Sequence, residues 1–542
     1  MKKYFKISEK ENIKIINIIK SMSIEDKIGQ LLFLKQEGEE NFSFTPGGVM
    51  FRPLSEGDLG KLIRKNNSRF KIQSFISANL ESGPKGMILD GIDGVTPLQV
   101  VASDEVKSAY DLGKISGEFG KLAGANMTFS PIVDINMNMN NPMVNTRSFG
   151  DSVEKIIEYG EHEFNGFLDN DVIPVIKHFP GDGVSDTDQH LLTAVNDLDY
   201  EKWKSTYGKV YSKFIDLGAE VIMVGHISLP KYVSKFNEKE SYHPASTSKY
   251  IIKKLLKEEL GYDGLIMTDS TLMAGYTSYH SRKEAIIRSL NSGVDMILFS
   301  RDGNEDFEYI KEGYDEGKIL LKEIDEKVKK ILSLKIKYDI LEGKIKENSI
   351  SKELKEEGSE VFNNIIGNSI TLLKDSQKLL PIKFTGKKIL LIPITRTKNK
   401  KDIEVEYFID LLKKENVDVS VKKYRGTGCN EMEDLKLSVK KFKEKYDLVI
   451  YLVNVKVLSN RTSIKMEYNA FNGVDAPWFI NEVNTMLISL SNPFHDYDAP
   501  MIKTVINGYN DTKGTIDCIM KKIKGEDTFR GVDPFGLRRG YE

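Results

Sequence analysis

Residues 175–190, VIKHFPGDGVSDTDQH, bring together several side chains that could do chemistry. The stretch begins as an apolar run typical of a buried strand, and Lys177 and His178 stand where that strand would end. A proline and two glycines then open a loop that carries Asp188 and His190. An aspartate two residues from a histidine can accept a hydrogen bond from one imidazole nitrogen and leave the other free to give or take a proton. The pattern therefore favours acid/base chemistry by Asp188 and His190.

The same loop permits two other interpretations. Its charges could serve only solubility and helix capping. Asp182, Asp186, Asp188 and His190 could also be oxygen and imidazole ligands of a metal. Their order, however, lacks the glycine and closing glutamate of an EF-hand, and the chain contains no His-x-x-x-His. We therefore predict neither a metal nor a cofactor.

A second apolar run, GLIMTDS (264–270), places Asp269 at its end. An unpaired carboxylate is costly to bury at such a position. Aspartate is also a common cap of the helix that follows a strand. A nucleophilic carboxylate is the alternative. The residue taken alone leaves both roles open.

Further polar side chains end apolar runs or stand in a long polar loop. Arg147 is the only cation of the loop NMNNPMVNTRSFGD, where it could form a structural salt bridge or hold a substrate's oxygen atoms. His226 ends VIMVGHI, where a satisfied core histidine and a ligand are equally consistent with the sequence. Asp90 and Asp134 end two other runs.

Length, composition and charge limit the classes of protein to consider. A chain of 542 residues predicts two or more domains, and its 40% hydrophobic and 29% charged residues are typical of a globular protein. A net charge of −2 gives no reason to expect nucleic-acid or membrane-surface binding. No apolar run reaches the roughly 20 residues of a membrane helix. The N-terminus lacks a signal pattern, and the two cysteines, Cys429 and Cys518, are too few for a disulfide framework, so we predict a cytoplasmic protein.

Residues 1–340 alternate short apolar runs with amphipathic helical segments. Continuous apolarity within the runs predicts parallel strands that are buried on both faces. Because at least five runs end in a polar side chain, a TIM-type (β/α)8 barrel is favoured over a doubly wound sheet, which gathers such residues nearer one point. The runs are GGVMFR, GMILDG, NMTFSPIVDI, VIPVIKHF, VIMVGHI, GLIMTDS and VDMILFS.

The pattern restarts after a charged segment. We predict that the helical segment KEIDEKVKKILSLKIKYDIL closes the barrel, which spans 1–340, that 341–365 is a linker, and that 366–542 form a smaller α/β sandwich domain. The apolar runs of this second domain are NSITLLKD, KKILLIPI, VDVSVKKY, YDLVIYLVNV and MIKTVINGYN. The chain contains no P-loop, dinucleotide fingerprint or Gly-x-Ser-x-Gly, so nucleotide-dependent and serine-hydrolase functions have no support.

Taken in order, these motifs resemble glycoside hydrolase family 3, and within it the β-N-acetylhexosaminidase branch. The similarity runs along nearly the whole chain and rests on an ordered series rather than on one motif. The segments that carry it are MSIEDKIGQLLF, DINMNMNNPMVNTRSFGD, VIKHFPGDG, TDQH, MVGHISLP, HPASTSKYIIKKLLKEELGYDGLIMTDSTLMAGY and NSITLLKDSQKLLPI.

The resemblance implies a role for each candidate residue. Asp269 would be the catalytic nucleophile, and His190 the general acid/base assisted by Asp188. The remaining candidates would bind the terminal sugar, with Asp90 accepting from a ring hydroxyl. These predicted substrate-binding residues are Arg147, Lys177, His178, Asp90 and His226.

Two positions depart from the family pattern. Asp182 stands where family members usually carry histidine. LDGIDGV (89–95) matches the family's Asp-x-Glu-Gly-Gly segment only loosely, because Ile92 replaces the expected glutamate. The resemblance therefore leaves the role of Asp182 open and makes Asp90 a weaker match than Arg147 or Asp269.

The function implied is a retaining glycosidase that removes terminal, nonreducing β-linked N-acetylglucosamine from short oligosaccharides or muropeptides through a covalent glycosyl-aspartate. Because a neutral imidazole does not repel an anion, the same site could use phosphate and act as a phosphorylase. A family β-glucosidase is a further alternative, and a catalytically inactive sugar-binding protein on the same fold is the alternative outside the enzymes.

Overall fold

The computed structural model consists of two compact units. It describes residues 5–37, 42–341, 343, 349–396, 402–423, 436–469, 473 and 475–535. The first unit comprises Met1–Gly94 and Ala109–Ser359, and the second comprises Val95–Ser108 and Glu360–Glu542. Cys429 lies outside the described residues, and Cys518 is a free cysteine.

The first unit contains a closed barrel of eight parallel strands, which confirms the predicted (β/α)8 fold. Its strands are β1 (Leu32–Gln36), β2 (Gly48–Phe51), β3 (Phe75–Ala78), β4 (Met127–Thr128), β5 (Ile173–Phe179), β7 (Val221–Val224), β9 (Leu265–Ser270) and β10 (Met296–Leu298). They close in the order β1, β10, β9, β7, β5, β4, β3, β2. Two short strands, β6 (Ala194–Val195) and β8 (Ile227–Ser228), pair separately with each other. Strand β5 is buried along its whole length, as expected for a parallel strand covered on both faces.

Helices connect the barrel strands, and local capping explains where several of them begin. Ser55, Ser152 and Ser281 each accept a hydrogen bond from a backbone N–H of the first helical turn. The helices are α1 (Glu9–Ser21), α2 (Ile24–Gln30), α3 (Glu56–Arg69), α5 (Lys107–Leu122), α6 (Val153–Leu168), α7 (Tyr200–Trp203), α8 (Lys209–Asp216), α9 (Pro230–Val233), α10 (Arg282–Ser292), α11 (Gly303–Asp315) and α12 (Leu321–Lys337). Two further segments, Lys204–Gly208 and Tyr250–Glu259, are π-helical. None of the helices in the described part of the chain has the length and apolarity needed to cross a membrane.

The second unit is a mixed sheet with helices, in agreement with the predicted smaller α/β sandwich. Its strands are β11 (Thr371–Asp375), β12 (Lys388–Thr395), β13 (Asp418–Val421), β14 (Leu448–Asn454), β15 (Asn484–Ser489) and β16 (Thr504–Asn507). They lie in the order β11, β16, β15, β14, β12, β13, and only the β11–β16 pair is antiparallel. Its helices are α4 (Pro97–Ala102), α14 (Ile403–Lys414), α15 (Val439–Lys445), α16 (His495–Asp498) and α17 (Lys513–Lys524).

The boundary between the units differs in detail from the predicted one. Helix α13 (Lys352–Ser369) occupies most of the segment that the sequence predicted as a linker. Helix α4, although it precedes most of the barrel in the chain, belongs to the second unit. There Leu98 and Ala102 form a buried cluster with Tyr509 and Phe535.

One predicted barrel strand is wrong and two real strands were missed. The run GMILDG (86–91) forms turns and a single bridge, and the third strand is instead FISA, β3. Strand β1 begins in the last two residues of the segment MSIEDKIGQLLF (22–33), directly after α2, which ends at Gln30. Three apolar residues interrupted by a serine carry too little periodicity to mark β3. This displacement matters for the site, because it moves the end of a barrel strand from Asp90 to the residues that follow Ala78.

Candidate active site

Asp269 lies near the carboxyl end of β9, and one of its two oxygens is left free. Oδ1 accepts a hydrogen bond of 2.7 Å from the backbone N–H of Ser270. Oδ2 is buried and has no hydrogen-bond partner among the described residues. The Nε2 of His178 stands 3.7 Å from Oδ2. This free oxygen at the mouth of a barrel is placed as a nucleophile requires.

The electrostatic surroundings keep Asp269 ionised. Burial raises the pKa of the carboxyl, but the imidazoles of His178, His226 and His190, together with the N–H of Ser270, outweigh burial and hold that pKa below its ordinary value. Three histidines from three different segments of the barrel therefore face one carboxylate. The sequence could not have shown this convergence, since it depends on barrel closure.

His178 is oriented by Asp134, which the sequence marked only as the end of an apolar run. Asp134 Oδ2 lies 2.7 Å from His178 Nδ1, and Oδ1 accepts from the backbone N–H groups of His178 and Asp182 at 3.1 and 2.8 Å. With Nδ1 donating to Asp134, the ring presents Nε2 to Asp269. Asp134 is thus an orienting residue.

Arg147 and Lys177 converge on a residue that the sequence analysis missed, Glu81. The Arg147 guanidinium donates Nε to Glu81 Oε1 at 2.8 Å and a terminal nitrogen to Oε2 at 3.2 Å. Lys177 Nζ lies 3.1 Å from the same Oε2. Burial alone would raise the pKa of Glu81, but the two cations hold it well below its usual range. The cluster of Arg147, Lys177 and Glu81 is charged and mostly buried, and its ion pairs fix its geometry, as expected of residues that bind a sugar.

The structure corrects the prediction for Asp90. Asp90 is exposed, and its carboxylate accepts a hydrogen bond of 3.1 Å from the N–H of Glu56 at the beginning of α3. In the described part of the chain it makes no contact with Arg147 or Lys177, whose carboxylate partner is Glu81. The segment NLESG (79–83) also has the glutamate and final glycine of the family's Asp-x-Glu-Gly-Gly pattern. The predicted strand GMILDG points to LDGIDGV instead, because it places the strand end at Asp90.

Asp188 and His190 form the pair that the sequence predicted. Asp188 Oδ1 lies 2.8 Å from His190 Nδ1 and also accepts from the His190 backbone N–H at 2.8 Å. The Asp188 side chain is fully buried, whereas 23% of the His190 side chain is exposed. The carboxylate can therefore fix the imidazole while Nε2 remains open for proton transfer.

The structure assigns His226 a different task from the predicted substrate contact. His226 is fully buried, and both ring nitrogens are occupied. Nδ1 lies 2.9 Å from the Ser246 hydroxyl, and Nε2 lies 2.9 Å from the carbonyl oxygen of Ser270. Burial lowers the pKa of His226. Because a carbonyl oxygen can only accept, Nε2 carries a hydrogen and donates it to Ser270. His226 therefore positions the backbone next to Asp269 and has no nitrogen left for a ligand.

The turn that follows β5 explains the two glycines of the PGDG motif. Gly181 and Gly183 have φ values of 118° and 105°, which favour glycine. A Cβ on Gly181 would lie 2.1 Å from the ring of Tyr207, and one on Gly183 would lie 1.9 Å from the carbonyl oxygen of Ile135. Any side chain here would displace the turn that carries Asp182.

The described residues offer no group of three or more His, Cys, Asp or Glu side chains arranged to hold a metal ion. A cavity of about 430 Å³ is lined by Leu34 and Lys35 of β1, by Leu272, and by residues 300–304 after β10. Because Leu272 follows Asp269 by three residues and residues 300–304 follow β10, the cavity opens at the same end of the barrel as the site.

Comparison with known proteins gives four consistent similarities. Residues 23–334 match the family described as Glycosyl hydrolase family 3 N terminal domain. A β-N-acetylglucosaminidase/β-glucosidase of Cellulomonas fimi is 30% identical over 533 residues, which cover 95% of this chain and 93% of that protein. The β-hexosaminidase A of Pseudoalteromonas piscicida is 33% identical over 194 residues, covering 34% of this chain and 32% of that protein. Among solved structures, β-glucoside phosphorylase BglX superimposes with a TM-score of 0.89 at 34% identity and covers 98% of this chain and 97% of that one.

Proposed function

Since this chain belongs to glycosyl hydrolase family 3, we propose that it removes terminal, nonreducing β-linked N-acetylglucosamine from short oligosaccharides with retention of configuration. The observation that carries the proposal is the ionised Asp269, whose Oδ2 is free, in the same site as the Asp188–His190 pair. A nucleophile and a separate proton carrier are the two groups that retaining hydrolysis needs.

The first step forms a glycosyl-enzyme. Asp269 Oδ2 attacks the anomeric carbon as the bond to the leaving oxygen breaks, and His190 Nε2–H supplies the proton that this oxygen takes. Asp188 stabilises the imidazolium before transfer, and the loss of the proton leaves a neutral ring. Arg147 and Lys177, held by Glu81, would bind the hydroxyl groups of the sugar.

The second step releases the sugar. The neutral imidazole of His190 removes a proton from water, the water oxygen bonds to the anomeric carbon, and Asp269 leaves as a carboxylate. Two inversions restore the original configuration. Asp134 and Asp188 retain their hydrogen bonds to the two histidines throughout, so little reorganisation accompanies either step.

Phosphorolysis is the second candidate, and two observations favour it. The solved structure with a TM-score of 0.89 is a β-glucoside phosphorylase at 34% identity. The proton carrier of this site is an imidazole, which when neutral does not repel a phosphate dianion as a carboxylate would. Phosphate would then replace water in the second step and leave with the sugar as a glycosyl phosphate.

Substrate source and location belong to the same proposal. A terminal β-linked N-acetylglucosamine occurs in muropeptides and in chitin-type disaccharides, and both would suit the site. With only two cysteines in 542 residues, the chain suits the reducing cytoplasm. We propose peptidoglycan recycling there as its role.

Product analysis with and without phosphate tests the proposal. Nitrophenyl β-N-acetylglucosaminide and nitrophenyl β-glucoside are compared, and the released sugar is identified as free sugar or 1-phosphate. We expect faster cleavage of the N-acetylglucosaminide and free sugar in phosphate-free buffer. A strong preference for the glucoside would contradict the substrate proposal, and turnover only with phosphate would establish the phosphorylase instead.

Replacement of the nucleophile tests the mechanism. Asp269→Ala removes the carboxylate proposed to form the glycosyl-enzyme, so kcat should fall by at least about 10³-fold. Thermal unfolding of the variant serves as the folding control. Activity at the level of the unmodified enzyme would show that another group is the nucleophile.

A further inference from the structure

Asp182, the residue that departs from the family pattern, has a buried and well-defined environment. Its Oδ1 accepts from the backbone N–H of Gly183 at 2.6 Å and from Asn141 Nδ2 at 2.9 Å. Among the described residues, its Oδ2 accepts from Gln189 Nε2 alone, at 3.4 Å. Only 2% of Asp182 is exposed. Asp182 therefore connects the turn after β5 to the loop that carries the acid/base pair.

Gln189 stands between Asp188 and His190 in the chain and is fully buried. Its Oε1 accepts a hydrogen bond of 2.9 Å from the backbone N–H of His226. An N–H donor at this distance requires the amide oxygen there, so the amide nitrogen is the atom that faces Asp182. One amide thus joins the loop to two fixed points, the turn after β5 and His226, which lies two residues after β7.

We propose that Asp182 and Gln189 are positioning residues for proton transfer. Their hydrogen bond, continued to the His226 N–H, holds the 186–193 loop so that His190 points at the glycosidic oxygen. This proposal rests on the acid/base role of His190. Neither side chain touches the sugar in this arrangement, and both act through the backbone between Asp188 and His190.

The charges around Asp182 show when this connection is strongest. Burial and the neighbouring Asp134 raise the pKa of Asp182 to about 6, against the lowering effects of His178, Gly183 and Asn141. The hydroxyl group of Tyr207 donates a hydrogen bond to the backbone carbonyl of Asp182. A proton would settle on Oδ2, which accepts one long bond, rather than on Oδ1, which accepts two short ones. Since a protonated Oδ2 opposes the Gln189 N–H, the connection weakens as the pH falls through about 6.

An exchange of the two functional groups tests the connection directly. Asp182→Asn keeps an oxygen for Gly183 and Asn141 but turns an amide nitrogen toward the Gln189 amide nitrogen. Gln189→Glu keeps an oxygen for His226 but turns a carboxylate toward Asp182. The double variant restores a donor and an acceptor in reversed order. Net charge is the same in the double variant and in the unmodified protein.

The readout is kcat/KM on two substrates that differ in their need for acid catalysis. Nitrophenolate leaves almost unaided, whereas the leaving sugar oxygen of an N-acetylglucosamine disaccharide must be protonated. We expect each single variant to lose about 10-fold or more on the disaccharide and about 2-fold on the nitrophenyl glycoside. The double variant should recover disaccharide cleavage to within about 3-fold.

Three results would overturn the proposal. They are equal losses on both substrates, a double variant no better than the product of the two single losses, and full activity of both single variants. If Asp182→Asn does not fold, Gln189→Met takes its place, since it removes both amide hydrogen bonds and must show the same dependence on leaving group. Failure of the unmodified protein to cleave either glycoside would instead contradict the proposed function.

Discussion

Two neighbouring buried glutamates have different charge states. Glu81 is buried between Arg147 and Lys177, which hold its pKa far below the ordinary value. Glu163 is buried, and its one hydrogen-bond partner among the described residues is the Ser130 hydroxyl, at 2.8 Å. Burial raises the pKa of Glu163 to about 8. The same side chain is therefore an anion in one place and neutral in the other. The number of cations within contact, which no local sequence pattern reveals, makes the difference.

Glu81→Gln should weaken both substrate binding and folding. It leaves Arg147 and Lys177 without their shared carboxylate, so we expect KM to rise and the free energy of unfolding to fall by about 3 kcal/mol at pH 7, the low end for a buried pair because part of Arg147 is exposed. Urea denaturation and steady-state kinetics measure the two effects. Glu154→Gln, which breaks the exposed pair with Lys209, is the control and should change little.

The stability difference between the unmodified protein and Glu81→Gln depends on pH in a way that follows from the lowered pKa of Glu81. The folded-state pKa is lower than the unfolded one, so the stabilisation is complete above the unfolded value of about 4.5 and is lost as the pH falls below it. The gap in unfolding free energy between the unmodified protein and Glu81→Gln should therefore narrow from pH 7 to pH 4. A gap that widens toward acid would show that the carboxylate is not stabilised by its cations.

Contacts between loops, rather than the loop sequence, keep the acid/base pair in place. The backbone N–H of Ala274 donates to the carbonyl of His190 at 3.0 Å. Thr193 Oγ1 donates to the Gly275 carbonyl at 2.9 Å. A Cβ on Gly275 would lie 2.5 Å from the backbone carbonyl oxygen of Gln189 and 2.8 Å from the backbone carbonyl oxygen of Leu192. The segment after β9 thus serves as the surface on which the loop of His190 rests.

Gly275→Ala should displace the His190 loop. The added methyl group meets backbone atoms that cannot rotate away, so we expect kcat/KM for a disaccharide to fall by about 10-fold or more, with a smaller loss on a nitrophenyl glycoside. Gly57→Ala is the matched control, because a Cβ there meets nothing within 4 Å and alanine favours its helix. Identical kinetics of Gly275→Ala and the unmodified enzyme would contradict the tight packing.

The predictability of each element depended on the length of its apolar run. The six residues of β9 and seven of β5 identified Asp269, Lys177 and His178 as strand-end residues. The four residues of β3 did not, and Asp90 was named in place of Glu81 for that reason. The Asp-x-His pair was visible because its two members are local in sequence. The orienting roles of Asp134 and His226 depend on contacts between strands, and no spacing along the chain encodes them.

At the scale of the whole molecule, the second unit includes a segment that is remote in sequence. Gln99 of α4 donates Nε2 to the carbonyl of Gly508 at 3.0 Å, across 409 residues of chain. It also donates to Thr515 Oγ1 at the start of α17, at 3.2 Å. The prediction of one boundary near residue 340 could not include such a connection, because the apolar pattern of α4 looks the same whichever unit it packs in.

Leu98→Ala therefore tests the division of the chain. Leu98 is fully buried against Tyr509 and Phe535, so its truncation should cost about 2–5 kcal/mol and act on the second unit. Hydrogen exchange should become faster in α17, whose Thr515 contacts the same helix through Gln99, while β5 of the barrel keeps its protection. Leu320→Ala is the control, because 58% of Leu320 is exposed. Faster exchange confined to the barrel strands would place α4 with the barrel instead, and the units would then follow the order of the sequence.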